Sequence, residues 1–576
     1  MKNLLPIILY FICLSQLFCQ AKQDYIWILG YDPNKPELFL GGVLLDFNQN
    51  LGEPKYFNIE YDAQVPGILS SPSGRLLLYT NGCTVIGSDH MPIAEGDTIS
   101  YGYVWDNYCG NDLGYPGTQN NLILPFPGDS TKAVVFYKFT TEDYLHNILY
   151  YALVEFNDEY PLGIIVSKDH ELIDPKSSAL ITATRHANGR DWWLILPDNA
   201  TNRFYTMLLD PNGVSVKDTQ AIGQPWEERE WASQAVFTPD GSKYIRCNPW
   251  KGLDIFDFDR CTGQLSNPIE SGPLSNPILV GCGAGVSVDS RYLFVSNVKY
   301  LYQYDLMDPD ILSTRVLIDS FDGYINPFPT SFYQMMLAPD GKLYMFSTNG
   351  VKSIHVINHP ERRDQACGFV QHLMELPAYA DIGSPNIPYY RSGPLIGSGC
   401  DTLGANMSPI ADFRYEIDSL SPYLVRFKEL SYFNPETWHW DFGGGNFVED
   451  RIPPEIDFME KGIYPVCLNV SNEYGEHTFC RNVILRDTVT SIGSGDHLPA
   501  LRIHPNPADD VLFLDIPSLG DKMTISIHNI LGTKVYETWA TPGIAQLDVS
   551  KFTPGLYIIT LVLQDNFSYA TKIVIK

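Results

Sequence analysis

Positive charge is what this 576-residue chain is short of: 39 Lys and Arg stand against 67 Asp and Glu, a formal charge of −28. A sequence-independent nucleic-acid binder needs surplus cations to displace counterions from phosphate, so nucleic acid is excluded as a partner. Docking on an anionic membrane surface is disfavoured for the same reason. Long apolar runs are also scarce. The longest, Leu4 to Phe18, is 15 residues, against the roughly 20 that a spanning helix needs. Nothing later approaches a span, so no transmembrane helix is expected once a signal is removed. The 11 cysteines form no CxxC pair, so zinc and dithiol redox chemistry lack their spacing. Also missing are a GxSxG elbow, an HExxH helix, a phosphate-cradling GxxxxGK[ST] loop and an EF-hand loop.

What is present begins with Lys2, the short apolar run and then Cys19-Gln20-Ala21. This reads as a signal peptide over residues 1–19, with a short N-terminal anchor as the alternative. Nine cysteines follow it: Cys83, Cys109, Cys247, Cys261, Cys282, Cys367, Cys400, Cys467 and Cys480. In an exported chain disulfides are the default, and the odd count leaves at least one thiol unpaired or intermolecular. Aromatics reach 13%, with 35 Tyr, and 45 Gly and 41 Pro punctuate the chain. Rings suit a pleated, half-buried surface and Gly and Pro make turns, so the expected class is all-β.

Between residues 24 and 403 a phrase recurs. Ser71-Pro72-Ser73-Gly74 opens Arg75-Leu76-Leu77-Leu78-Tyr79, Thr238-Pro239-Asp240-Gly241 opens Ser242-Lys243-Tyr244, Ser287-Val288-Asp289-Ser290 opens Arg291-Tyr292-Leu293-Phe294, and Ala338-Pro339-Asp340-Gly341 opens Lys342-Leu343-Tyr344. From Asp240 to Asp289 to Asp340 the steps are 49 and 51 residues. Each copy is a tight turn feeding an aromatic-rich strand. A period near 50 with several short strands per unit is the mark of propeller blades. Ile181 to Leu196 adds a hairpin around Asn188-Gly189, and Asn121 to Val154 a further strand set. With Asp24-Tyr25-Ile26-Trp27-Ile28 at the start, the expectation is a β-propeller of seven blades, six or eight being alternatives. The leading strand would pair with Pro388-Tyr389-Tyr390 to close the ring and hide its edges. Two stacked sandwiches are the competing architecture.

Residues 409–486 change pattern. Trp440-Asp441-Phe442-Gly443 runs into Gly444-Gly445, and Gly462 to Asn472 leads through Glu473-Tyr474-Gly475 to Cys480. These residues resemble a PKD domain, an immunoglobulin-like sandwich with a WDFGDG signature, although Gly444 replaces its second acid. Around a hairpin tip at Glu473-Tyr474, Cys467 and Cys480 fall opposite each other, within disulfide range on antiparallel strands.

Residues 487–498 read as a flexible linker. The section from 501 to 576 holds Pro505-Asn506-Pro507, a central turn ending at Gly532, Gly555-Leu556-Tyr557, and a terminal strand with Lys572. It resembles the C-terminal sorting domain of the type IX secretion system of Bacteroidetes-type bacteria, with His504 in place of the usual Tyr. The resemblance implies the type IX machinery as a partner and passage through the periplasm to the outer cell surface or medium, with attachment to surface lipopolysaccharide or release to follow. In that light Leu78 to Cys83, Phe258 to Gly263 and Tyr390 to Leu403 resemble large secreted propeller proteins of the same bacteria. That supplies architecture and no reaction.

Candidate chemistry is thin. Glu227-Glu228-Arg229-Glu230, between Trp226 and Trp231, offers a glycosidase-type carboxylate pair beside sugar-stacking rings, but is more plainly a solvated loop. His186, beside Arg185 and Asp191, is a candidate base or a turn residue. Asp257 and Asp259 share one strand face and Asp254 the other, too few donors for calcium, so no cofactor or metal is assigned. Asp97-Thr98-Ile99, Asp418-Ser419-Leu420 and Asp487-Thr488-Val489 have the form of O-glycosylation tripeptides. No catalytic residue is assigned. The reading is a non-enzymatic exported surface or secreted protein whose propeller binds a polysaccharide or a surface protein. The competing reading is a secreted polysaccharide hydrolase or lyase with acids in the propeller funnel.

Overall fold

The computed structural model describes residues 21–575 apart from 32–39, 49–53, 64, 112–113, 143–146, 175–179, 227–231, 275–280, 381, 405–406, 419–420, 487–501, 505–507, 509–510, 517–522, 530–533, 541–542, 554 and 564–567. The expected signal peptide and linker lie outside these residues. Two compact units are resolved. One holds the described residues up to Tyr415 with Phe427–Pro454 and Pro465–Arg481; the other holds Glu416–Arg426, Glu455–Tyr464 and the described residues from Asn482 onward.

Seven antiparallel sheets follow one another in chain order. Blade 1 is Ile26–Tyr31, Gly41–Asp46 and Lys55–Phe57. Blade 2 is Gly67–Ser70, Leu76–Thr80 and Val85–Gly87. The chain from Met91 to Ile99 forms its fourth edge, through bonds such as Ile93 N–H to Val85 O (3.0 Å) and Ile99 N–H to Cys83 O (2.9 Å). Blades 3 to 7 each have four strands in sequence order, starting at Asn121–Pro125, Thr182–Arg185, Gln234–Phe237, Gly283–Val286 and Met335–Leu337. The starting strands of blades 4 to 7 lie beside one another around an axis. Trp27 of blade 1 closes the circle, its ring 5.6 Å from Tyr344 and 6.3 Å from Phe346 of blade 7. The chain is a seven-bladed β-propeller followed by smaller β domains, as its repeats predict.

The recurring phrase forms the turn between the first and second strands of blades 2, 5, 6 and 7. Asp240 Oδ1 accepts from Thr238 Oγ1 (2.6 Å) and from the Ser242 N–H (3.0 Å), and the Gly241 N–H closes the turn on Thr238 O (2.8 Å). Gly74, Gly241 and Gly341 occupy the left-handed region at φ 87, 72 and 77, and Ser290 takes the same place at φ 60. Burial then falls outward. All six residues of Trp192–Pro197 are buried, whereas none of Gly213–Ala221, the outer strand of the same blade, is. Each fully buried aliphatic side chain stabilises by roughly 1.5–3 kcal/mol, which favours the inner strands.

One expectation is corrected. Ile26–Tyr31 pairs with Gly41–Asp46, and no ladder joins it to Pro388-Tyr389-Tyr390. The returning chain instead runs along the axis, with Asn386 forming a parallel bridge to Gly67. Two prolines in Pro385-Asn386-Ile387-Pro388 lack N–H donors, so a ladder there would be interrupted at both.

Antiparallel pairing sorts the loops of blades 2 to 7. First-to-second and third-to-fourth turns fall at one end of the blades, second-to-third turns and inter-blade connections at the other. The first end is covered. Lys428 Nζ meets Glu361 (2.5 Å), Arg414 Nη2 donates to Asn358 O (3.0 Å) and Tyr25 Oη donates to Asp412 (2.5 Å). The chain after Arg391 crosses the same end, where Arg260 Nη2 donates to Gly393 O (2.6 Å) and Cys261 is bonded to Cys400.

The segment from 413 to 485 forms two sheets, one of Phe413–Ile417, Leu424–Glu429 and Ile456–Asp457, the other of Thr437–Asp441, Phe447–Val448, Gly462–Asn472 and Gly475–Leu485. Phe413 and Phe427 reach across to Trp440 at 5.1 and 5.8 Å. The C-terminal segment is a second sandwich: Arg502–His504, Val511–Ile516 and Gly543–Asp548 in one sheet, Met523–Asn529, Lys534–Ala540, Gly555–Leu563 and Ser568–Ile575 in the other. Leu512, Leu514, Ile525, Ile527, Ile559 and Ile573 fill it.

Among the described residues three disulfides are present, Cys83–Cys109, Cys261–Cys400 and Cys467–Cys480. Cys247, Cys282 and Cys367 are buried free thiols. Apolar burial pushes the Cys282 thiol well up and Cys367 to about 11, which keeps both protonated and unreactive.

Candidate functional site

The axis of a propeller is the usual place to look for a ligand, and here the protein fills it with its own chain. Asn386 is the keystone. Its Nδ2 donates to Asn121 O (2.7 Å) and Ile181 O (3.0 Å), and its Oδ1 accepts from Gln119 Nε2 (3.1 Å). Its backbone N–H donates to Pro66 O (2.9 Å), so one residue ties blades 2, 3 and 4 together. Three buried glutamines continue the pattern. Gln119 spans to Ala235 (2.9 and 2.8 Å), Gln234 joins Ala284 and Met335 (2.9 and 2.7 Å), and Gln334 joins Ser233 and Ser384 (both 3.1 Å). Buried amides with full partner sets are structural groups, because each freed donor or acceptor would cost its desolvation.

The carboxylate on the axis is also committed. Asp24 receives Arg391 Nη1 and Nη2 at 2.8 and 2.6 Å, with both side chains 6% exposed. Burial works against the Arg391 charge, but Asp24 and then Tyr389 outweigh it and hold the guanidinium protonated. The space left beside this pair is about 70 Å³, room for about two waters. Ligand pockets run to several hundred Å³.

At the open end, the connection from blade 6 to blade 7 carries a polar cluster that no sequence motif announced. His355 lies on Val351–Ile357 and His372 on Phe369–Ala380. His355 Nδ1 accepts from the His372 N–H (3.2 Å), which leaves its proton on Nε2, donated to Thr330 O (2.8 Å). Burial, then the His372 ring beside it, pulls the His355 pKa down to about 3. His372 places Nε2 3.1 Å from Asp322 Oδ2 and Nδ1 3.3 Å from Ser353 Oγ. Burial raises the Asp322 pKa, but the Tyr324 N–H and the two imidazoles outweigh it and hold the carboxyl below its usual range.

Serine, histidine and aspartate in contact invite comparison with a nucleophilic triad, and the burial order decides against one. A triad buries its acid and presents its hydroxyl. Here Ser353 is 7% exposed while the Asp322 side chain is 45% exposed. The cluster is instead the base of a projecting loop, with Tyr324, Ile325 and Phe328 at 46%, 62% and 54% exposure.

The candidates named from sequence are dispersed. Glu227, Glu228, Arg229, Glu230 and Trp231 lie outside the described residues. Trp226 is buried and donates from Nε1 to Asp254 (2.5 Å), which also meets Arg246 (2.9 Å) between Trp226 and Phe204. Asp257 is spent on Lys243 and Asn267, and Asp259 on Thr262 and the Cys261 N–H. Among the described residues, no group of three or more His, Cys, Asp or Glu is placed to hold a metal ion. His186 Nδ1 accepts from the Asn188 N–H (3.0 Å), its ring packs 5.3 Å from Trp193 and burial lowers its pKa, which suits a turn residue.

Trp440 is fully buried and donates to Asp450 O (3.1 Å), Phe442 stacks on it at 6.0 Å, and Asp441 accepts from the Gly443 N–H (2.8 Å). Gly443, Gly444 and Gly445 all take left-handed φ values of 81, 63 and 82, a run that favours glycine. Cys467 and Cys480 have Cα atoms 4.0 Å apart. In the C-terminal sandwich Gly555 opens a strand, Tyr557 is buried with its hydroxyl on Thr553 O (2.8 Å), and Lys572 lies on the last strand. Pro505, Asn506, Pro507 and Gly532 lie outside the described residues.

Residues 502–576 match the family described as the secretion system C-terminal sorting domain. This sandwich is a type IX sorting domain. The sorting domain marks the protein for export to the cell surface or the extracellular medium and makes the secretion machinery a partner. Other likenesses are looser. Ulvan lyase NLR42 of Nonlabens ulvanivorans is 28% identical over 93 residues, 16% of this chain and 17% of that protein. The chain thus matches about a sixth of that curated relative's length. A structure of a candidate 6-phosphogluconolactonase from Bacteroides uniformis shares 11% identity, covering 62% of this chain and 98% of its own, at a TM-score of 0.35. The Dos1 propeller shares 11% over 62% of this chain and 87% of its own, at 0.31. Among the described residues, no helix is long and apolar enough to cross a membrane.

Proposed function

We propose that the exported protein is a non-catalytic binding module, with the propeller as a recognition platform for a polysaccharide or surface protein and the middle, PKD-like sandwich as its mount. The single observation carrying this reading is the filled axis: its amides are satisfied and Asp24, which borders the small space left there, is paired with Arg391, so among the described residues no unpaired carboxylate faces that space. Recognition then belongs to the open end, where inter-blade loops stand on a rigid ring. The alternative, a polysaccharide hydrolase or lyase, is favoured by the stretch shared with ulvan lyase NLR42.

Incubation of the purified full chain with a panel of neutral and acidic polysaccharides tests both readings. Saturable binding without new reducing ends or unsaturated uronates is expected. Turnover of any polysaccharide would establish the alternative.

A further inference from the structure

Blade 2 hands over to blade 3 at the open end through a short knuckle rich in aromatic side chains. Tyr103–Asn107 is a single helical turn, and Cys109 just beyond it is bonded to Cys83 of the preceding turn. The Asp106 N–H donates to Gly102 O and the Tyr108 N–H to Val104 O, both at 2.9 Å. Trp105 and Tyr108 are half-buried against Cys83, Val104 and Tyr115. Tyr101 is 68% and Tyr103 39% exposed, and the Tyr101 ring lies 5.5 Å from that of Trp105. Tyrosine and tryptophan held in this way give large contact faces at small entropic cost.

Charge narrows the ligand. No Lys or Arg occurs between Arg75 and Lys132, while Asp89, Glu95, Asp97, Asp106, Asp112 and Asp129 do. Lys168, from blade 3, spends its ammonium on the carbonyls of Glu95 and Thr98 (3.2 and 3.0 Å). A sulfated or uronic polymer would meet repulsion and no counter-charge. The blade 6–7 tip differs in that its rings are mixed with exposed Ile325, beside Leu373 at 50% exposure. Aliphatic branches serve protein contacts better than sugar faces. On the knuckle the rings flank exposed Asp106, whose carboxylate can accept hydroxyls at a ring edge, while Asn107 Nδ2 donates to Tyr103 O (2.7 Å) and fixes the turn.

We propose that the knuckle at Tyr101, Tyr103, Trp105 and Tyr108 is a stacking platform for an uncharged polysaccharide. This rests on the binding-module reading and names its ligand class and place. Affinity electrophoresis of the full chain in gels carrying galactomannan, xyloglucan, hydroxyethyl cellulose, alginate or ulvan tests it, with Tyr101→Ala/Tyr103→Ala as the probe variant. The tip variant Tyr324→Ala/Phe328→Ala serves as control, and unchanged melting of each variant confirms its fold. Retardation by at least one neutral polymer is expected, weakened at least about tenfold by the knuckle variant, preserved by Tyr101→Phe and by the control, and insensitive to added salt. If a neutral polymer binds the knuckle variant as tightly as the parent, the site is wrong and the binding-module reading stands. Retardation by alginate or ulvan alone overturns the ligand class. If no polymer retards the parent chain, both the site and its polysaccharide ligand fall.

Discussion

The two ends of the ring are built to opposite rules. At the covered end the long-range bonds include charged, buried and covalent ones: Arg391 on Asp24, Tyr25 on Asp412, Lys428 on Glu361, Cys261 on Cys400. At the open end, loops are also held by contacts closer in sequence, as where Asp322 caps the Tyr324 N–H (2.8 Å) and Cys109 returns to Cys83, 26 residues back. One end stores stability and the other displays side chains. That division leaves display residues replaceable at little cost to the fold.

The contrast can be broken by substitution, and the covered end should answer loudest. Removing the Cys261–Cys400 bond, which spans 139 residues, is expected to cost about 5 kcal/mol in the chain-entropy account, against about 3 for Cys467–Cys480. Scanning calorimetry of the two double-serine variants reads the difference, and equal losses would contradict it. Asp24→Ala strands a buried guanidinium and should cost about 3–5 kcal/mol, seen as a fall in denaturant midpoint. A loss below about 1 kcal/mol would mean that the axis pair is solvated.

The next effect depends on pH. His355 has a folded pKa near 3, well below the unfolded value of about 6.5, so the unfolded chain binds the extra proton between them. Its contribution is complete above about pH 6.5 and is lost as pH falls toward 3, by about 2 kcal/mol on reaching pH 5. His355→Gln should flatten this part of the stability profile, and an unchanged slope would assign it elsewhere. Smallest of all, Tyr324→Ala/Phe328→Ala at the open end should move the midpoint by no more than about 0.5 kcal/mol.

Local grammar made the ring legible. Thr238-Pro239-Asp240-Gly241 and its echoes specify their turns through contacts two to five residues apart, and Asn188-Gly189 does the same for blade 4. Cys467 and Cys480 were readable because a single hairpin relates them. The axis segment was misread because two prolines and two tyrosines look like the end of a strand, while the bonds that capture Asn386 come from residues more than 200 positions away. The cluster at Asp322, Ser353, His355 and His372 left no motif because it joins two neighbouring strands of blade 7 to the loop before it, at spacings that match no short pattern.

Because Asn386 and Arg391 must enter the axis after blades 2, 3 and 4 exist, the wheel receives its axle late in synthesis. A chain stopped short of Arg391 would hold seven sheets and an unmatched Asp24 at their centre. The sorting domain lies farther along still, so any copy bearing that address also carries the residues that lock the rotor. Cargo recognised at its tail has, by its order of synthesis, everything needed to close its head.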